Sequence, residues 1–311
     1  MKKGRLLRIG AAVSILALSL TGCGLLMPTP KDNFVGAYKN LFDAKTIETT
    51  TEYSFSLKSD VPEESLKQGL DFFNAVSFNL HTISDLGKGK SETDLSILSS
   101  ANGMEISEDL NGFIDKKSKK LYTKAETVLS AYSLIGGLSI DLPSDLKDAI
   151  IVLDDVGQSE GSNKEFGLEL INYSEDKFKV NGDVITVKMA GEEFKKDLLK
   201  KLEDSKAFLG VEVQAYILNM VKELDNLTFG EATIKLEIKD GTIKTQDVII
   251  PLTFESFAGI EINAEVKVKT TVENINQPVE FSYDLKKGTI LTLDELKEKF
   301  KEVQKQQQKN K

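Results

Sequence analysis

The chain is poor in the residues on which catalysis and cross-linking draw. It has one cysteine, Cys23, one histidine, His81, and no tryptophan in 311 residues. A single cysteine excludes an intramolecular disulfide and any multi-cysteine metal site. With one histidine and no second thiol, no zinc site is expected. A Ser-His-Asp arrangement would have to use His81, and no G-x-S-x-G elbow is present to supply its serine. His81 is therefore read as a solvated or edge histidine at the end of a strand. Basic excess is missing as well: the formal net charge is -9, which argues against nucleic acid as a partner.

Other candidate chemistries fail on spacing. Gly87-Lys88-Gly89-Lys90-Ser91 resembles the end of a phosphate-binding loop, but the leading glycine is replaced by Ser84 and the segment joins two strands, so it is read as a hairpin turn. Asp154, Asp155, Glu160 and Glu165 lack calcium-loop spacing and are read as a solvated acidic loop. No catalytic residue, metal ligand or cofactor is expected, and the chain is read as a non-enzyme.

What is present begins at the N-terminus. Met1-Lys2-Lys3-Gly4-Arg5-Leu6-Leu7-Arg8 is cationic without an acid, and an apolar run from Ile9 to Leu20 follows. That run is too short for a bilayer crossing of roughly 20 residues but has the length of a secretory signal. Leu20-Thr21-Gly22-Cys23 resembles the lipobox of bacterial lipoproteins, which implies cleavage after Gly22 and a diacylglyceryl group on Cys23. Two acyl chains hold a protein stably at a membrane where one is marginal. The organisation expected is a signal peptide over 1–22, a lipidated tether over 23–31, one domain over 32–304 and a polar, frayed tail over 305–311. Removing 1–22 takes away Lys2, Lys3, Arg5 and Arg8 and no acid, so the formal charge falls from -9 to -13. The expected location is the extracytoplasmic face of the cell membrane, with the lipid on Cys23 as the attachment.

The periodicity beyond the tether mixes helices with long alternating strands. Asp32 is the expected N-cap of a helix carrying Phe34, Tyr38, Leu41 and Phe42. Tyr53, Phe55 and Leu57 alternate with polar residues over 48–59 and predict a strand with one buried face. A helix opened by Pro62 carries Leu66, Leu70 and Phe73, and a β-meander follows through Phe78, Leu95, Ile106, Phe113 and Tyr122. Further helices are expected over 126–135, 192–206 and 211–224. A hairpin turns at Asn181-Gly182, and strands around Ile234, Val248–Phe254 and Ile260–Val272 follow. Val279, Phe281 and Tyr283 predict one more strand, and Thr292 with Glu295 a capping box for the last helix. The region 138–175 has no clear period.

The fold class expected is α+β, a large antiparallel sheet covered by several helices. With Cys23, the helix at Phe34–Phe42 running into the strand at Tyr53–Leu57, long alternating strands and helices inserted between hairpins, the chain resembles the LolA-like superfamily, which includes the mycobacterial LppX and LprG type of lipoproteins. The resemblance implies a curved half-barrel plugged by helices, with acyl chains held in the apolar space between. Two functions stand side by side: a carrier binding lipid in an apolar cavity lined by Phe55, Leu57, Val266 and Val268, or a non-enzymatic structural lipoprotein that binds an envelope protein.

Overall fold

The computed structural model describes residues 28–59, 64–101, 104–136, 146, 148–153, 173–206, 226–255, 259–285 and 288–309. It is an α+β protein in which a large mixed sheet is the scaffold and a few helices are its covers. The strands are β1 (Thr46–Lys58), β2 (Ser77–Asp85), β3 (Lys90–Ala101), β4 (Met104–Asp115), β5 (Lys120–Lys124), β6 (Ile150–Leu153), β7 (Phe178–Asn181), β8 (Val184–Met189), β9 (Thr228–Phe229), β10 (Ala232–Lys239), β11 (Thr242–Glu255), β12 (Glu261–Ile275) and β13 (Ile290–Thr292). The helices are α1 (Pro30–Phe42), α2 (Glu64–Asn74), α3 (Ala125–Gly136), α4 (Gly191–Lys206) and α5 (Leu293–Lys309).

Two meanders run outward from one long-range pair. β1 lies antiparallel to β12 from Ile47↔Ile275 to Lys58↔Asn263, and the order is β13-β6-β5-β4-β3-β2-β1-β12-β11-β10-β8-β7, with β9 beside β11. Successive strands pair because tight turns join them. Asp240 and Gly241 both have positive φ between the paired ladder ends Lys239 and Thr242, the geometry that makes a two-residue hairpin match strand twist. β13 runs parallel to β6, which makes the sheet mixed where a wholly antiparallel one was expected: the chain returns to that edge through the long excursion that builds the other meander.

Strand alternation sends the two faces to different fates. On the apolar face, α1 and α4 cover the β7–β12 wing: Phe34, Tyr38 and Phe194 pack with Val187, Ile234, Leu236, Ile243 and Val248. At the other end Ala125, Leu146, Ala149, Ile151, Leu291 and Leu296 form a second buried cluster. Ile151 is fully buried in β6, inside the region 138–175 that shows no clear period, because a four-residue strand is too short to display one.

Several expectations need correction. The cap of α1 is Thr29, with Pro30 at its first position; Asp32, at the third position of the first turn, completes that capping box by accepting from the Thr29 backbone N–H at 3.0 Å. The helix therefore starts inside the segment expected to be tether. The β7–β8 turn is centred on Gly182 and Asp183, since Asn181 pairs with Val184. Val279, Phe281 and Tyr283 form no strand. The Ser282 and Tyr283 amides donate to the Glu92 carboxylate at 2.7 and 3.3 Å, in place of a ladder, and Pro278 has no N–H to give one. The backbone stays helical to Lys309, so the polar tail continues α5 through most of 305–311. The helix expected over 211–224 and the turn at Asn102-Gly103 lie outside the described residues.

Candidate functional site

β1 and β12 bring the four predicted lining residues together. Phe55 is opposite Val266, Tyr53 opposite Val268 and Leu57 opposite Ala264, so all share the face that α1 covers further along the sheet. Their register continues outward: Tyr53 pairs with Phe78, Thr51 with Leu80, Phe78 with Ile97 and Leu80 with Leu95. Phe55 meets Phe78 edge to face, with ring centroids 5.9 Å apart. α2 lies against β1 and β3, and its Asn74 side chain ties to the Leu57 backbone, accepting from the N–H at 2.6 Å and donating to the carbonyl at 3.1 Å.

This stretch is less buried than its neighbours. β1, β2 and β3 sit in the middle of the strand order, yet among their described residues no apolar side chain is fully buried. Phe55, Leu57, Phe78, Leu80, Leu95, Ile97, Val266 and Val268 are all half-buried. The two packed clusters stop on either side of them. Burial nonetheless raises the Tyr53 hydroxyl above its ordinary value, so the strip is partly shielded from water. Ser99, on the same face of β3, is 5% exposed, and among the described residues its hydroxyl has no hydrogen-bond partner, a cost that a ligand group could relieve.

Two clefts open elsewhere. One of about 330 Å³ is lined by Ser56, Lys58, Pro251, Asn263 and Glu265 among others, and one of about 320 Å³ by Thr242, Lys244, Glu273 and Asn276 among others. Neither is lined by Phe55, Leu57, Val266 or Val268, and both mix polar and apolar walls, Phe229, Leu252 and Ala264 lining the first and Val272 and Ile275 the second. Neither cleft runs along the apolar strip, whose side chains are half-buried among the described residues.

His81 is neither at an edge nor at a strand end. It stands mid-β2, paired with Thr50 on one side and Asp94 on the other, and its Nε2 lies 3.1 Å from Glu48 Oε1. Hydrogen bonding from Asn274, with His81 as a smaller contributor, holds the Glu48 carboxyl below the usual carboxylate range despite desolvation. A single sequence could not show this partnership, because 33 residues separate the two and only the β1–β2 register joins them. The Gly87–Ser91 segment is a hairpin turn as expected: residues 86–89 turn between β2 and β3, Gly89 takes φ +71°, and Asp85 accepts from the Lys88 amide and pairs with its ammonium. Cys23 and the acids at 154, 155, 160 and 165 lie outside the described residues.

No protein-family model matches the chain, and no curated protein does. Among solved structures, the 12:0-ACP thioesterase from Umbellularia californica aligns at 10% identity over 78% of this chain and 79% of its own, with a TM-score of 0.12. The tesB protein of Mycobacterium avium subs paratuberculosis aligns at 8% identity over 78% and 85%, with a TM-score of 0.11. Likeness that slight carries no argument about fold or activity.

Proposed function

We propose that the chain is an extracytoplasmic lipoprotein, tethered by lipid on Cys23, that holds an acyl chain or lipid against the centre of its sheet. One observation carries the reading: the middle strands present a continuous half-buried apolar strip between two fully packed clusters. A domain with nothing to bind gains by closing helices over such a strip, since burial stabilises by about 25 cal/mol per Å² of apolar surface. An acyl chain laid along Phe55, Val266, Val268 and Leu57 obtains the same stabilisation. The finer shape that suits this role is a curved half-barrel whose helices flank the strip.

The envelope-protein reading draws on a different observation. The two clefts described have mixed polar and apolar walls and do not follow the strip, and a half-buried apolar strip also suits a protein surface. No part of either reading calls for catalysis.

Native mass spectrometry with organic extraction separates the two. The chain from Gly24 onward keeps the Thr29 cap of α1 and removes the acylated cysteine. A lipid recovered near one per chain, exchangeable for a fluorescent fatty acid, supports the carrier. A clean protein mass with no uptake from mixed vesicles defeats it and leaves the envelope-protein role. For the anchor, Cys23→Ser in the full chain is expected to abolish incorporation of labelled palmitate; retained label would defeat the lipoprotein assignment.

A further inference from the structure

We propose that Glu48, His81 and Glu273 bind one divalent transition-metal ion of the zinc class on the polar face of the sheet. One ligand atom from each of the three lies within 4.8 Å of the other two. They come from three adjacent strands, β2, β1 and β12, so the rigid middle of the sheet fixes their backbones. The site is on the opposite face from Phe55, because Glu48 and Phe55 differ by an odd number of positions in β1, and it stands or falls independently of the acyl reading.

A β-bulge makes the convergence. The β1–β12 register shifts between Glu48 and Thr49: Thr49 pairs with Val272 and Glu48 with Asn274, leaving Glu273 as the extra residue. A bulge sets two residues against one and re-aims their side chains. Here both bulge side chains turn to Glu48's surroundings. Asn274 donates through Nδ2 to Glu48 Oε2, and Thr50 donates through Oγ1 to Glu273 Oε1 at 2.5 Å. Each carboxylate is thus oriented by a neutral donor outside the triad, as ligands of bound metals usually are. Glu48 Oε1 remains on His81 Nε2, and a carboxylate oxygen of Glu273 remains to complete the set.

The donor chemistry selects the ion. Calcium and magnesium prefer all-oxygen shells, whereas an imidazole nitrogen with carboxylates suits zinc and its first-row neighbours. Two carboxylates balance the charge of a divalent cation with the imidazole neutral. Zinc bonds of about 2.0–2.2 Å put tetrahedral donors roughly 3.4 Å apart, so closure asks for about 1.4 Å at most of side-chain movement. His81 is 35% and Glu48 21% exposed, which leaves room for that movement and for water in a fourth position. The plain alternative is an ion pair with a neighbouring acid, and it predicts no metal response.

The sole histidine makes the test clean. The full chain, kept in detergent, free of a polyhistidine tag and labelled with ¹⁵N-histidine, is titrated with zinc chloride. Both ring nitrogens observed belong to His81, and they are expected to shift in one saturable step at one zinc per chain, with calorimetry giving the same stoichiometry. His81→Gln and Glu273→Gln are each expected to weaken binding at least tenfold, and Glu126→Gln, an exposed acid in the first turn of α3, to leave it unchanged. Asn274→Ala keeps all three ligands and is expected to weaken binding by a smaller factor; it carries the test if a ligand variant fails to fold. Ring nitrogens unmoved at saturating zinc, or triad variants that bind like the parent chain, would overturn the site.

Discussion

Glu92 is a buried carboxylate that organises the segment after β12. It is 2% exposed, and its carboxylate accepts from the Ser282 hydroxyl and amide and the Tyr283 amide. That grip presses Phe281 and Tyr283 onto Phe113, with ring centroids 5.4 and 5.9 Å away, while the Tyr283 hydroxyl donates to Asn111. Desolvation accordingly pushes the Tyr283 hydroxyl up to about 12. Glu92→Gln replaces an acceptor by a donor facing donors, and it is expected to cost about 1–3 kcal/mol in urea unfolding and to speed amide exchange at 282 and 283. Unchanged exchange there would show that the rings alone hold the segment. Tyr38 offers a pH test. Burial raises its hydroxyl well above the ordinary value of about 10, and the hydroxyl donates to Gln246 at 2.7 Å. The folded state therefore keeps a proton that the unfolded chain releases, so this contribution is complete below about pH 10 and is lost as the pH rises above it. Melting temperatures of Tyr38→Phe are expected to be lower at neutral pH and to fall less steeply between pH 9 and 11 than those of the parent.

Elements here are bounded by local chemistry and placed by close contacts. Thr292 caps α5 as its spacing to Glu295 predicts, the two side chains exchanging bonds with each other's backbone amides at 3.2 and 2.7 Å. The start of α4 is set by tertiary approach instead. A Cβ on Gly191 would sit 1.9 Å from the Phe229 carbonyl oxygen, so β9 can reach α4 only over a glycine. Gly191→Ala is expected to destabilise by on the order of 3 kcal/mol, with the loss centred on α4 and β9 in hydrogen exchange. A neutral result would mean that α4 slides along β9 without cost.

At the scale of the whole molecule, the decisive property is that, among the described residues, the fully buried clusters lie toward the two ends of the sheet while the apolar residues of β1, β2 and β3 are only half-buried. Leu57→Asp should accordingly disturb stability little compared with a charge placed at Ile234, which is fully buried. Under the acyl reading the same change is expected to lower fluorescent fatty-acid uptake at least tenfold. Uptake that survives Leu57→Asp and Val266→Asp together would move the ligand off this strip.

The sequence by itself determined most of the elements, because alternation in β1, β10 and β12, the 3.6-residue stripe of α4 and the capping box of α5 are local signals. The hairpin around Gly182 was legible for the same reason, to within one residue of its centre. The four lining residues could be named as alternating apolar positions, but their shared face needed the β1–β12 register across more than 200 residues. Tertiary structure alone decided that Phe281 and Tyr283 dock through Glu92 instead of pairing, that β13 returns parallel to β6, and that a bulge aims Glu273 toward His81 and Glu48. Each of these depends on which distant strand becomes a neighbour. That choice follows from summed packing over the whole sheet and leaves no trace in a window of ten residues.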